Sequence, residues 1–193
     1  NFTNNGTLAQ GALTLTFNGT AVTHSGTWTG NGFLDTHGNV SINNGTTIPV
    51  PVRVLDGTLT ALGIFSGNIT VAAAALLQVW ANNILTLSGD VTVNGTLGTE
   101  NNGAVLVLLK NLTGTGTVSA YNLSFTRNGA QLVSGTVTLT GTGVLTIDAN
   151  SVTTADHALV LVFSTITLNG SLITQALTIN GSAFTIGAAG TFN

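Results

Sequence analysis

Residues 83–125 read NILTLSGDVTVNGTLGTENNGAVLVLLKNLTGTGTVSAYNLSF, and this stretch decides the fold class. Ile84, Leu85 and Leu87, then Val91 and Val93, alternate with Thr, Ser and Asn, the period-two pattern of a half-buried strand. The run AVLVLL at 104–109 lacks alternation and reads as a strand buried on both faces. Ser88-Gly89-Asp90, Asn94-Gly95, Asn101-Asn102-Gly103 and Gly114-Thr115-Gly116 between the runs are turn chemistry. The same succession of short strand and turn fills the chain, so the class is all-β.

Outward from this stretch, residues 11–17 (GALTLTF) set Leu13, Leu15 and Phe17 on one side of a strand and Thr14 and Thr16 on the other. Residues 21–34 read as a weak strand pair around Gly30-Asn31-Gly32. Residues 48–55 (IPVPVRVL) hold both prolines, which predicts an edge strand or a crossover. Residues 71–80 (VAAAALLQVW) are the one place where a helix competes, because four consecutive alanines favour it. Further strands are expected at 131–140, 144–147, 158–168, 172–179 and 184–186. SGDVTVNGT and SGTVTLTGT echo each other, but the glycines keep no fixed period, which disfavours a solenoid without excluding it.

Only 5% of the 193 residues are Asp, Glu, Lys or Arg. Three Lys and Arg residues cannot build a phosphate-neutralising patch, so nucleic acid is excluded as a partner. A polybasic membrane contact fails for the same reason. No apolar run approaches the roughly 20 residues that span a bilayer. With no cysteine there is neither a disulfide nor a thiolate metal site. So few carboxylates leave little to drive acid unfolding, which predicts a fold that persists over a wide pH range. Without an initiator Met the chain reads as a mature product, and an extracellular, cell-surface setting is expected.

Eleven of the twenty-one asparagines head an Asn-x-Ser/Thr triplet: Asn1, Asn5, Asn18, Asn39, Asn44, Asn68, Asn94, Asn111, Asn122, Asn169 and Asn180. That is about twice what the Ser and Thr content gives by chance, and it predicts covalent N-glycans. Asn-Gly-Thr is also good turn sequence, so turn chemistry alone is the competing reading. Asn18, Asn44 and Asn94, in Asn-Gly turns, are expected to be the most accessible.

Catalysis finds little support, and no cofactor is expected. Asp35-x-His37 and Asp156-His157 put a carboxylate near an imidazole, which a base–orienter pair or half a metal site requires. Neither has a third ligand nearby in sequence, and solvated loop pairs explain both. Asp56 and Asp148 sit beside turns. Lys110, the sole lysine, closes AVLVLL. It reads either as a lysine snorkelling from a strand end or as one half of a Lys–Asn crosslink with Glu100 as the acid. Thr136-x-Thr138-x-Thr140-x-Thr142 lines up hydroxyls as ice-binding surfaces do, and as the solvent face of any Thr-rich strand does.

Short Thr-rich strands, scarce charge, no cysteine and sequons from Asn1 to Asn180 resemble the heavily glycosylated subunits of archaeal thread pili, which are similar in fold to bacterial type I pilins. The resemblance is compositional and spans the chain. It implies an immunoglobulin-like β-sandwich at 21–193, completed by a donor strand from the 1–20 arm of a neighbouring subunit. Leu13, Leu15 and Phe17 would fill the groove of the next copy. The partner implied is the chain itself, as a head-to-tail homopolymer serving adhesion to surfaces or other cells and biofilm formation. Type I pilins usually carry a disulfide, and none is possible here. A parallel β-helix adhesin or surface-layer component is the alternative, since a β-helix stacks its own rungs and needs no donor.

Overall fold

The computed structural model describes residues 1–44, 47–101, 103–181 and 183–193. Its thirty described strands are short, and all their pairings are parallel. Pairing runs from each strand to the third along the chain, broken among the described strands only between Trp28–Thr29 and Thr47–Ile48, and this winds the chain into a three-faced solenoid of about nine turns. The first face is a ten-stranded sheet from Phe2–Asn4 to Leu177–Ile179. The second joins a two-stranded piece, Leu8–Ala9 with Trp28–Thr29, to an eight-stranded sheet from Thr47–Ile48 to Ala183–Ile186. The third runs over ten strands from Leu15–Asn18 to Thr191–Phe192.

The immunoglobulin-like sandwich is therefore overturned, and the parallel β-helix alternative fits. The physical reason lies in the register. Leu59 pairs with Val40 on one side and Leu77 on the other, and the column continues through Leu97, Val118, Leu139 and Leu161. On the second face Ile48, Phe65, Leu87, Leu108, Phe125, Ile147 and Leu168 stack in the same way. On the third, Leu34, Val52, Ile69, Val91, Leu112 and Val133 do so. These residues are buried, and the three sets meet in one interior. Period two delivers an apolar side chain inward and a Thr, Ser or Asn outward, and β-branched residues suit both positions.

Residues 1–20 supply the first tier of this stack. Leu15 and Phe17 lie in the strand Leu15–Asn18, paired with Leu34–His37 of the same chain, and Phe17 is buried. Leu13, in the turn before it, is 77% exposed. Leu15 and Phe17 therefore pair within their own chain, with the next tier.

Three local expectations also change, and one is met. The run at 104–109 is buried on one side only, with Ala104, Leu106 and Leu108 inward and Val105 and Val107 half-buried outside. Ala72–Ala74 form a turn closed by the Ala75 amide donating to the Ala72 carbonyl (2.9 Å), and Ala75–Val79 is a strand rather than a helix. Pro49 and Pro51 fit the expectation, falling at the crossover corner between Thr47–Ile48, the edge strand of the eight-stranded sheet, and Val52–Val54 on the third face. Trp28–Thr29 and Leu34–His37 pair with other tiers and not with each other.

The corners explain two glycines. Gly114 (φ 122°) and Gly135 (φ 84°) stand on successive tiers in conformations that L side chains rarely adopt. A Cβ on Gly114 would collide with the Val93 carbonyl, and one on Gly135 with the Gly114 carbonyl.

Candidate functional site

The solenoid sorts the chemistry into corners and faces. Asn5, Asn44, Asn122 and Asn180 lie at or beside the first-to-second-face corner, and Asn68, Asn111 and Asn169 at the second-to-third. Asn18, Asn39 and Asn94 lie at the third-to-first, and Asn1 precedes the first strand. Asn1, Asn5, Asn18, Asn39, Asn68, Asn94 and Asn180 are exposed, and Asn111, Asn122 and Asn169 are half-buried. The Asn44 side chain, Gly45 and Thr46 of its triplet, Ser182 of the Asn180 triplet, and Asn102 lie outside the described residues.

Some of these amides also hold tiers together. Asn68 Oδ1 accepts from the Asp90 amide (3.1 Å), Asp90 Oδ1 from the Asn111 amide (3.2 Å), and Asn111 Oδ1 from the Leu132 amide (3.0 Å). Four tiers are thus tied along one corner. A glycan attaches through Nδ2, so the role of Oδ1 at Asn68 and Asn111 leaves that nitrogen's chemistry intact. Asn122 differs: its Oδ1 accepts from the Val144 amide (3.3 Å) while its Nδ2 donates to the Ala104 carbonyl (3.4 Å). This chain of contacts was missed from sequence. The signal was the recurrence of Asn or Asp at 68, 90 and 111, one tier apart.

The charged residues regroup across tiers. Asp35 does not face His37. It receives two hydrogen bonds from Arg53 on the next tier, from Nε and from one terminal nitrogen, both 2.7 Å. Asp35 is nearly buried, and the Arg53 guanidinium carbon also sits 4.3 Å above the centre of the Phe33 ring. The hydrogen bonds that Arg53 donates to Asp35 raise the Arg53 pKa further. His37 instead meets Asp56 (Nδ1 to Oδ2, 2.6 Å), whose other oxygen accepts from the Gly38 amide (2.6 Å). The Gly38 amide first, and His37 second, hold the Asp56 carboxyl below the usual carboxylate range. Asp156 and His157 do meet, at 2.9 Å. His24 is buried edge-on against Trp28.

Lys110 is exposed at the corner leaving the strand Val105–Leu108, while Glu100 stands at the corner entering it. The Glu100 carboxylate is held elsewhere, accepting from the Ala81 amide (2.7 Å) and Gln78 Nε2 (3.2 Å). That arrangement does not join Glu100 to Lys110 as a crosslink would need. Among the described residues no group of three or more His, Asp or Glu is placed to hold a metal ion, and no helix is long and apolar enough to cross a membrane. The depressions are open ones, such as that of about 340 Å³ lined by Thr99, Glu100, Ser119, Tyr121, Thr140 and Thr142.

The faces carry rows set by register. On the first face Thr96, Thr117 and Thr138 stand one above another, beside Gly98, Ser119 and Thr140. On the second, the outward columns are Thr86–Val107–Ser124–Thr146–Thr167–Thr185 and Ile84–Val105–Asn122 continuing through Val144–Thr165–Ala183. On the third, Thr70, Thr92 and Thr113 align, with Thr92 and Thr113 hydroxyls 3.2 Å apart. No protein-family model, curated protein or solved structure matches the chain. The class the fold defines is the parallel β-solenoid.

Proposed function

We propose that this chain is an adhesive β-solenoid of an extracellular surface protein, glycosylated at its corners and binding through its faces. The observation that supports this most is the in-register repetition of small hydroxyl and aliphatic groups along three sheets. Each group alone contributes little. A stack that repeats it on every tier presents one long surface, and repeat architectures use such surfaces for binding. Scarce charge leaves hydroxyls and glycans to carry solubility, and the exposed corner sequons at Asn18, Asn68 and Asn94 would place glycans along the edges.

Two measurements test the reading. Beads coated with the chain are held under flow on mineral, polymer and cell-wall glycan surfaces, against albumin-coated beads. Retention above the albumin control supports adhesion, and retention equal to it on every surface removes the reading. Intact mass of native material tests the glycans. Mass above the 19.4 kDa chain, mapped to Asn18, Asn68 or Asn94, is expected, and an unmodified chain removes that part.

A further inference from the structure

The second face is built differently from its neighbours. From Ile64 to Thr185 none of its outward strand positions bears a charged or aromatic residue. The first face is bordered by Glu100 and Tyr121 and interrupted by depressions, and the third carries the Asp35–Arg53 pair. What the second face offers is a grid. Ser124, Thr146, Thr167 and Thr185 follow one another tier by tier, and Thr165 lies beside Thr167.

The grid has fixed dimensions. Neighbouring tiers lie about 4.8 Å apart, and residues two positions along a strand lie about 6.7 Å apart. Both repeats fall close to oxygen–oxygen repeats on the faces of hexagonal ice. The backbone beneath is locked by parallel ladders on both sides of every interior strand, and β-branched Thr and Val have few rotamers to lose. Little ordering entropy therefore opposes binding to something equally ordered. A hydroxyl both donates to and accepts from water, while the threonine and valine methyls fit between water molecules without competing for them. A charge would hold its own hydration shell, and none is present.

A lattice matches this face, because hydroxyls recur on four successive tiers at Ser124, Thr146, Thr167 and Thr185, beside small groups at Val144, Thr165 and Ala183. A protein partner is a poor match, since interfaces are anchored by Trp, Tyr or Arg in pockets, and this face has neither anchors nor pockets of that kind. We propose that the second face binds ice, through the hydroxyls and methyls of Ser124, Thr146, Thr165, Thr167 and Thr185. This rests on the adhesion reading and names its surface.

The test grows ice slowly from a solution of the intact chain and measures how much protein enters the solid, with thermal hysteresis recorded on the same sample. Three forms are compared: the intact chain, the second-face variant Thr146→Lys/Thr167→Tyr, and the first-face variant Thr138→Tyr. Circular dichroism verifies that all three stay folded. The intact chain and Thr138→Tyr are expected to enrich in the ice, and the second-face variant to be excluded like albumin. Exclusion of the intact chain overturns the inference, as does incorporation of the second-face variant at the intact level. Loss on Thr138→Tyr alone also overturns it. Exclusion from ice with retention on another solid leaves adhesion standing and removes ice. Failure on every solid removes both.

Discussion

Leu85 and Phe184 occupy the same inward column of the second face, linked through Leu106, Leu123, Leu145 and Ile166. Leu85 is fully buried, whereas Phe184 is 40% exposed and Ile186, beside it, 51%. Both strands have the same alternation. What differs is the number of neighbouring tiers: Leu85 is covered from above and below, and Phe184 from above only. In a solenoid, burial belongs to the contact between tiers and not to the strand itself. A mutation should therefore be felt according to its tier as much as its residue type.

The largest contrast should come from Phe125→Ala against Phe184→Ala. Phe125 is 1% exposed in mid-stack, and its truncation is expected to cost about 3–5 kcal/mol. Phe184→Ala should cost less than about 1 kcal/mol, since much of that ring is already in water. Urea denaturation of both variants checks this, and equal losses would contradict the tiered core.

Next comes Gly114→Ala, expected to cost about 1–3 kcal/mol because the added methyl meets the Val93 carbonyl in a conformation already unfavourable for L residues. Gly6→Ala, in the first tier with no close neighbour, should stay within a few tenths of a kcal/mol. Thermal melts of the pair decide whether close stacking or glycine content as such matters.

Asp90→Ala removes the acceptor for the Asn111 amide and should cost about 1 kcal/mol. Hydrogen exchange gives the sharper readout: faster exchange at Asn111, with the amides of the first two tiers unchanged.

The smallest effect concerns pH. The Asp56 carboxyl is held below its ordinary value in the folded chain, mainly by the Gly38 amide. Its contribution is fully present above the ordinary carboxylate value and is lost as pH falls through the depressed one. Because Asp56 is exposed, the loss should be slight, confined to acid, and absent in Asp56→Asn. A stability-against-pH profile that is otherwise nearly flat is expected from so few ionisable groups.

Much of this fold was legible in the sequence, and what was not has a definite cause. Alternation in residues 84–87 and 91–93 marked the strands, and Ser88-Gly89-Asp90 marked the corner between them. The way the strands pair was hidden. Alternation is usually the mark of an antiparallel sheet with one wet face, and parallel sheets are usually covered on both. A solenoid breaks that association, because its parallel sheets bury only their inner side. Tier length also varies: Phe65 pairs with Leu87, 22 residues on, but Leu108 with Phe125, 17 residues on. Corners absorb the difference, so the glycines lose any fixed period. Pro49 and Pro51 were read rightly as marking a crossover, since a corner tolerates a missing donor as well as an edge does.

The candidate site was legible only in its parts. The sequons could be read directly, but their gathering at corners required the winding. Asp35-x-His37 pointed to a pair within one tier, whereas the partners, Arg53 and Asp56, come from the next. Side chains separated by one tier length are neighbours here, and that length could not be known before the stacking was.

The stacking is tested most directly by a crosslink between Thr92 and Thr113. Adjacent parallel strands put their paired residues about 4.8 Å apart, within disulfide range, and the two hydroxyls already touch at 3.2 Å. The chain has no cysteine, so Thr92→Cys/Thr113→Cys can form one bridge only. Mild oxidation of the folded monomer should consume both thiols and close a loop within one chain, as read by peptide mass mapping. Two free thiols in a folded, oxidised monomer would contradict the parallel, in-register stack.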